Sequence, residues 1–209
     1  MHLAIFGATG GVGRHLVSQA PAEGHRVTAF SRDAARLETP DPDLDVVEGD
    51  VLDGTAVRQA IEGRDAVVCA LGMPLLNGDG LRAAGTDTII RAMQASDVRR
   101  LVCPSGLGAG DSRDLLPFHY RYLIFPLVMR RLHADYENQE RLVMASGLDW
   151  TLVRPSNFTD GERTGRYRRG FSAAEPAPKL KVSRADVADF MLRQICDLTY
   201  LHRAPALSY

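Results

Sequence analysis

Short apolar runs alternate with amphipathic stretches along the whole chain. Residues 3–6 form an unbroken apolar run, and residues 12–20 follow with helical periodicity. Residues 26–30 and 45–48 read as a second and third strand, with a short helix over 55–61. A fourth strand is predicted over 65–70. A helix over 80–95 puts Leu81, Ile89 and Met93 on an inner face, and a fifth strand is predicted over 100–103. After an irregular stretch the pattern gives a helix over 133–145, stopped by Ser146-Gly147, then a sixth strand over 150–154 and a last helix over 185–197. Strands with no polar alternation are buried on both faces, as in parallel sheets covered by helices. Repeated strand–helix–strand units predict an α/β fold with a doubly wound, Rossmann-like parallel sheet in one domain spanning 1–209. Two irregular stretches, 104–126 and 155–181, follow the C-terminal ends of strands, where such sheets build their binding crevice. The segments near 104–132 and 155–181 are expected to form the substrate side.

The first strand runs into Gly7-Ala8-Thr9-Gly10-Gly11-Val12-Gly13, a G-x-x-G-x-x-G turn that opens a helix. Gly7 allows a sharp exit from the strand, Gly10 lets the backbone approach a diphosphate, and Gly13 permits close helix–strand packing. N–H groups at a helix start favour the anionic diphosphate, and Gly11 and Val12 are placed with the glycines among the expected dinucleotide contacts. At the end of the second strand stand Ser31, Arg32 and Asp33, with Arg36 one turn later. A guanidinium there pairs with a 2′-phosphate in a forked geometry, which predicts NADP(H) in preference to NAD(H). The alternatives are a solvated arginine, common in a chain whose only lysines are Lys179 and Lys181, and an NAD site through Asp33. Asp50 and Val51 end the third strand, where they either flank an adenine or form a terminating turn. Leu71, Gly72 and Met73 end the fourth strand, and Ser105 follows the fifth near the expected nicotinamide ribose.

The balance of 25 basic and 26 acidic side chains argues against a nucleic-acid binder. Cys69, Cys103 and Cys196 form no C-x-x-C pair, so neither a disulfide framework nor a zinc cluster is indicated. The start of the chain carries no signal-peptide pattern, and the longest apolar run, 123–129, is too short to span a bilayer. A cytoplasmic protein without a membrane partner, monomeric or homodimeric, is expected.

Gly7-Ala8-Thr9-Gly10-x-x-Gly13, Ser31-Arg32-Asp33, Gly49-Asp50-Val51, Ser146-Gly147-Leu148 and Arg154-Pro155 together resemble an atypical short-chain dehydrogenase/reductase. Within that group the chain is most similar to the NAD(P)H-binding flavin reductase/biliverdin-IXβ reductase-like proteins. The resemblance extends over Thr164-Gly165-Arg166-Tyr167 and the closing helix. It implies NADPH-dependent reduction of flavins or related planar acceptors. It also implies cofactor roles for Gly7, Thr9, Gly10, Gly13, Arg32, Arg36, Asp50, Val51, Leu71, Gly72 and Ser105, with Ser105 at the active-site serine position. Pro155 is placed among the cofactor contacts. The biliverdin-reducing members carry a histidine where this chain has Asn157, a departure that weakens the case for biliverdin.

No tyrosine has a lysine four residues on: Tyr120, Tyr122, Tyr136, Tyr167 and Tyr200 are followed there by Ile124, Pro126, Glu140, Phe171 and Ala204. The Y-x-x-x-K device of alcohol dehydrogenation is therefore absent. A flavin or quinone needs only to be held face to face with the hydride donor. Ser105 then either hydrogen-bonds nicotinamide or acceptor, or caps its own loop. Tyr136, Gln139 and Glu140 share a helical face that looks either into the crevice or into solvent. Tyr136 and Glu140, with Asn157 and Phe158, are the expected substrate contacts. His133 and, more weakly, His119 are further polar candidates. Residues 118–129 are either core packing or a dimer face, or else an apolar lid over a planar substrate. Arg163, Arg166, Arg168 and Arg169 either meet a substrate phosphate or are solvated. A redox-sensing regulator similar to the NmrA type, binding NADP(H) without turnover, is the alternative function.

Overall fold

The structure is a computed structural model that describes residues 1–37, 44–72, 80–124, 127 and 129–209. Its main sheet contains β1 (His2–Phe6), β2 (Arg26–Ser31), β3 (Asp45–Glu48), β4 (Ala66–Cys69), β5 (Arg100–Pro104), β6 (Asp149–Pro155), β8 (Arg168–Arg169) and β10 (Ala206–Ser208). Their spatial order is β3-β2-β1-β4-β5-β6-β10-β8. All neighbours are parallel except β10 and β8. A second ladder pairs β7 (Asn157–Thr159) with β9 (Lys181–Ser183). The strand order reverses between β1 and β4, which opens the crevice at their C-terminal ends.

The pleat of β1 sorts its residues onto two cores. Leu3 and Ile5 face α1 (Gly11–Gln19) and α5 (Arg184–Cys196), packing on Leu16, Val17, Phe190 and Met191. Ala4 and Phe6 face α2 (Gly54–Ile61), α3 (Leu81–Gln94) and α4 (Arg130–Ala145), among Val57, Ile61, Ile89, Met93 and Val143. Each fully buried large apolar side chain contributes about 1.5–3 kcal/mol, so these layers hold the crevice walls rigid. Asp53 caps α2 by accepting the Thr55 N–H at 2.9 Å. Ser183 caps α5 by accepting the Asp186 N–H at 3.0 Å.

The doubly wound parallel sheet predicted from the pattern is present, with departures. The stretch 155–181, read as irregular, contributes the short strands β7 and β8 and the start of β9. Helix α4 begins at Arg130, a turn earlier than the periodicity suggests. Residues 206–208, unassigned in sequence, form β10 and extend the sheet from β6 through Ala206 opposite Arg154. A three-residue strand carries no measurable period, so only its partner makes it a strand.

Candidate functional site

The glycine turn is shaped by contact with β4. Gly7 has φ +76°, and a Cβ there would lie 2.5 Å from the Ala70 carbonyl oxygen. A Cβ on Gly13 would lie 2.0 Å from the Gly7 oxygen, so α1 leans directly on the turn. The Gly10 N–H closes the turn onto the Gly7 oxygen at 2.9 Å. Gly10 caps α1 without a side-chain hydrogen bond, leaving its first-turn N–H groups to a group from outside. The turn borders a cleft of about 550 Å³ lined by Gly7, Thr9, Gly10, Arg32, Arg36, Asp50, Val51, Leu71 and Gly72. It has the room and the donors that a dinucleotide diphosphate requires.

Thr9 and Ser31 bond through their hydroxyls at 3.1 Å, which ties the turn to the end of β2. Arg32 and Arg36 are exposed and make no ion pair among the described residues. The Asp50 carboxylate accepts the Leu52 N–H at 2.9 Å and so closes the turn after β3, while Val51 is buried in the cleft wall. Met73 lies outside the described residues.

A second cavity of about 380 Å³ joins the first through Leu71 and Gly72 and adds Gly11, Val12, Arg82, Ser105, Leu132, Tyr136, Phe158 and Arg184. Ser105 is 1% exposed, and its backbone N–H holds the Val153 oxygen at 2.7 Å. Its buried hydroxyl has no partner among the described residues, so it does not cap its own loop. Arg82, from the first turn of α3, donates to the Leu71 oxygen at 3.2 Å and to Asp135 at 3.3 Å. Its guanidinium carbon stands 4.0 Å from the centre of the Tyr136 ring. Burial pushes the Tyr136 phenol up from its ordinary pKa, keeping it protonated at neutral pH. Arg184 lies across Gly11, whose Cβ would fall 2.7 Å from its Nε. Below Ser105, Gln139 donates to Thr86 at 3.1 Å and to Cys103 at 2.9 Å. Burial pushes the Cys103 thiol up, so it stays protonated.

A third cavity of about 400 Å³ shares Leu132, Tyr136, Phe158 and Arg184 with the second. Leu107, Leu116, Tyr120, Met129, Pro155 and Leu180 make it mainly apolar, and His133 and Asn157 sit at its edge. His133 Nε2 lies 2.7 Å from the Gly108 oxygen, and Asn157 donates to the Tyr120 hydroxyl at 3.3 Å.

Two sequence expectations are corrected, and one open alternative is narrowed. Glu140 is not in the crevice: both its oxygens accept from Arg154 at 2.8 Å, and the pair is buried behind the sheet end with Asp111 as a further partner. At 16 residues α4 passes from the crevice into the core, so Tyr136 faces the cavity, Gln139 the interior and Glu140 the arginine. Pro155 lines the apolar cavity rather than the glycine-turn cleft, because β6 ends beyond β5. The basic cluster after Phe158 borders none of the three cavities. Arg163 pairs with Asp189 and Glu23, and Arg168 with Glu175. Burial raises the Asp189 carboxyl, but hydrogen bonds from Arg193, Tyr167 and Arg163 outweigh it and hold the group below its ordinary range.

Arg82, Leu132 and Arg184 were not singled out in sequence. Two are arginines among 23 and one is an ordinary helical leucine, so only the fold brings them to the crevice. Among the described residues no helix is long and apolar enough to cross a membrane. None of their His, Cys, Asp and Glu side chains gather in threes to hold a metal.

A doubly wound sheet with a glycine turn at its switch point defines a nucleotide-binding Rossmann protein. The model of the NAD(P)H-binding family matches residues 7–197, and the chain belongs to that family. It is 30% identical over 180 residues to the uncharacterized protein YwnB of Bacillus subtilis, covering 81% of this chain and 79% of that one. It is 38% identical over 117 residues to a 3-diazoavenalumate denitrifying reductase of a Streptomyces species, covering 50% of this chain and 38% of the relative. Among solved structures, ChuY, an anaerobillin reductase from Escherichia coli O157:H7, matches with a TM-score of 0.80 at 25% identity, over 100% of this chain and 97% of that one.

Proposed function

We propose that the protein is an oxidoreductase that binds NADPH in preference to NADH along the crevice and reduces a planar conjugated acceptor, a flavin, quinone or similar ring system, in the apolar cavity. One observation carries this reading. Ser105, whose buried hydroxyl has no partner among the described residues, lines the middle cavity, which shares walls with the glycine-turn cleft on one side and the apolar cavity on the other. A buried polar group left unpaired costs about 1–3 kcal/mol, and an amide or carbonyl arriving there recovers it.

When bound, the reduced nicotinamide supplies a hydride. The chain's own part is positional. The N–H groups of the glycine turn take the diphosphate, and Arg32 and Arg36 stand ready for a 2′-phosphate. Ser105 orients the reacting ring, while Leu132, Tyr136 and Phe158 keep water from the plane between donor and acceptor. A flavin or quinone draws its proton from water, so the absence of a Y-x-x-x-K pair is no obstacle. The reductase names of the Streptomyces relative and the E. coli neighbour support the same class of reaction.

The test is anaerobic loss of reduced nicotinamide absorbance with FMN, menadione and biliverdin as separate acceptors. At least one is expected to be reduced, with a lower KM for NADPH than for NADH. Binding of NADPH without turnover on any of them overturns the reductase reading in favour of a redox-sensing regulator.

A further inference from the structure

We infer that Phe118, Tyr122, Leu123, Leu127, Arg130 and Arg131 form a docking surface for an anionic lipid membrane, on which the protein lies without spanning it. Leu127 at 77% and Phe118 at 74% are the most exposed large apolar side chains among the described residues. Tyr122 and Leu123 are more than half exposed and belong to the same segment, while the other exposed apolar residues are scattered along the chain. The Phe118 and Tyr122 rings stand 4.6 Å apart, tilted by 41° to each other. Aromatic rings with one apolar and one wet edge suit the lipid headgroup region.

Charge decides between possible occupants. From Leu115 to Ala134 the chain has no Asp or Glu but carries Arg121, Arg130 and Arg131, although its overall net charge is −1. Arg121 pairs with Asp114 just before this stretch, which leaves Arg130 and Arg131 as its free charge. Arg130 and Arg131 are exposed, and neither makes an ion pair among the described residues. A second copy related by a two-fold axis brings like charges together across this face. An anionic headgroup layer instead neutralises them while the apolar side chains enter the acyl boundary. The same segment supplies Tyr120 and Met129 to the apolar cavity, so the cavity's lining continues into this surface. The expectation of no membrane partner rested on the lack of a spanning run, which a surface-lying segment does not need.

The test is co-sedimentation of the full chain, without dinucleotide, with vesicles of phosphatidylcholine alone and of phosphatidylcholine mixed with phosphatidylglycerol. Leaving out cofactor and acceptor separates this result from the fate of the hydride-transfer reading. Binding to the anionic vesicles is expected to exceed binding to the neutral ones by about tenfold or more, and to fall with added salt. Arg130→Ala with Arg131→Ala is expected to cut it by about thirtyfold. Phe118→Ser with Leu127→Ser is expected to abolish it with the far-UV circular dichroism unchanged, since both side chains face solvent. Equal binding to both vesicle types, or none to either, overturns the inference. So does a dimer in light scattering that Phe118→Ser with Leu127→Ser dissolves while vesicle binding is unaltered.

Discussion

The two ends of the crevice are made of different material. At the β1–β4 end the surface is backbone, and its shape depends on atoms that are not there: a Cβ on Gly7 or Gly13 would overlap carbonyl oxygens. At the other end the surface is side chain, brought by α4, by β7 and by irregular segments on both sides of β6. The first kind of site demands particular residues at fixed spacing. The second asks only for bulk and apolarity, which many sequences supply. The glycine-turn end is thus constrained by geometry, and the apolar end is open to variation.

Four substitutions break or sharpen this contrast. Gly7→Ala combines left-handed backbone strain with a close contact to Ala70, so a loss of about 4 kcal/mol in urea unfolding is expected. Any folded fraction should show dinucleotide affinity reduced more than tenfold by fluorescence titration. Glu140→Ala is expected to cost about 3 kcal/mol of stability by leaving the buried Arg154 with only Asp111. Because Glu140 lies outside the crevice, KM for both substrates should be unchanged in the folded protein, and a raised acceptor KM would return it to the substrate side. Arg32→Ala should weaken NADPH binding by about 1.5–3 kcal/mol in calorimetry and leave NADH nearly unaffected. Equal losses for the two coenzymes would reject the assignment. Ser105→Ala removes a buried hydroxyl with no internal partner, so its unfolding free energy should rise by about 1 kcal/mol or more while turnover falls about tenfold.

What could be read from the sequence follows the same contrast. Strands β1 to β6 and the five helices appear in the apolar pattern because each is long enough to show it and has buried faces. The glycine turn appears because steric demand writes itself as glycine. β10 was invisible because three residues in a strand depend on a partner 52 residues away, Ala206 opposite Arg154. Glu140 was misplaced because helical spacing gives the angle between neighbours but not which of two neighbours meets the sheet end. Arg82 was missed because its role depends on three tertiary contacts, Leu71, Asp135 and Tyr136, that no local pattern encodes.

The three thiols differ sharply in access. Cys69 and Cys103 are sealed on adjoining strands, whereas Cys196 is exposed at the end of α5. A maleimide dye should therefore stain one sulfur within moments and reach the other two only when the middle of the sheet parts. The molecule carries its own clock for the opening of its centre, readable by mass without any engineered label.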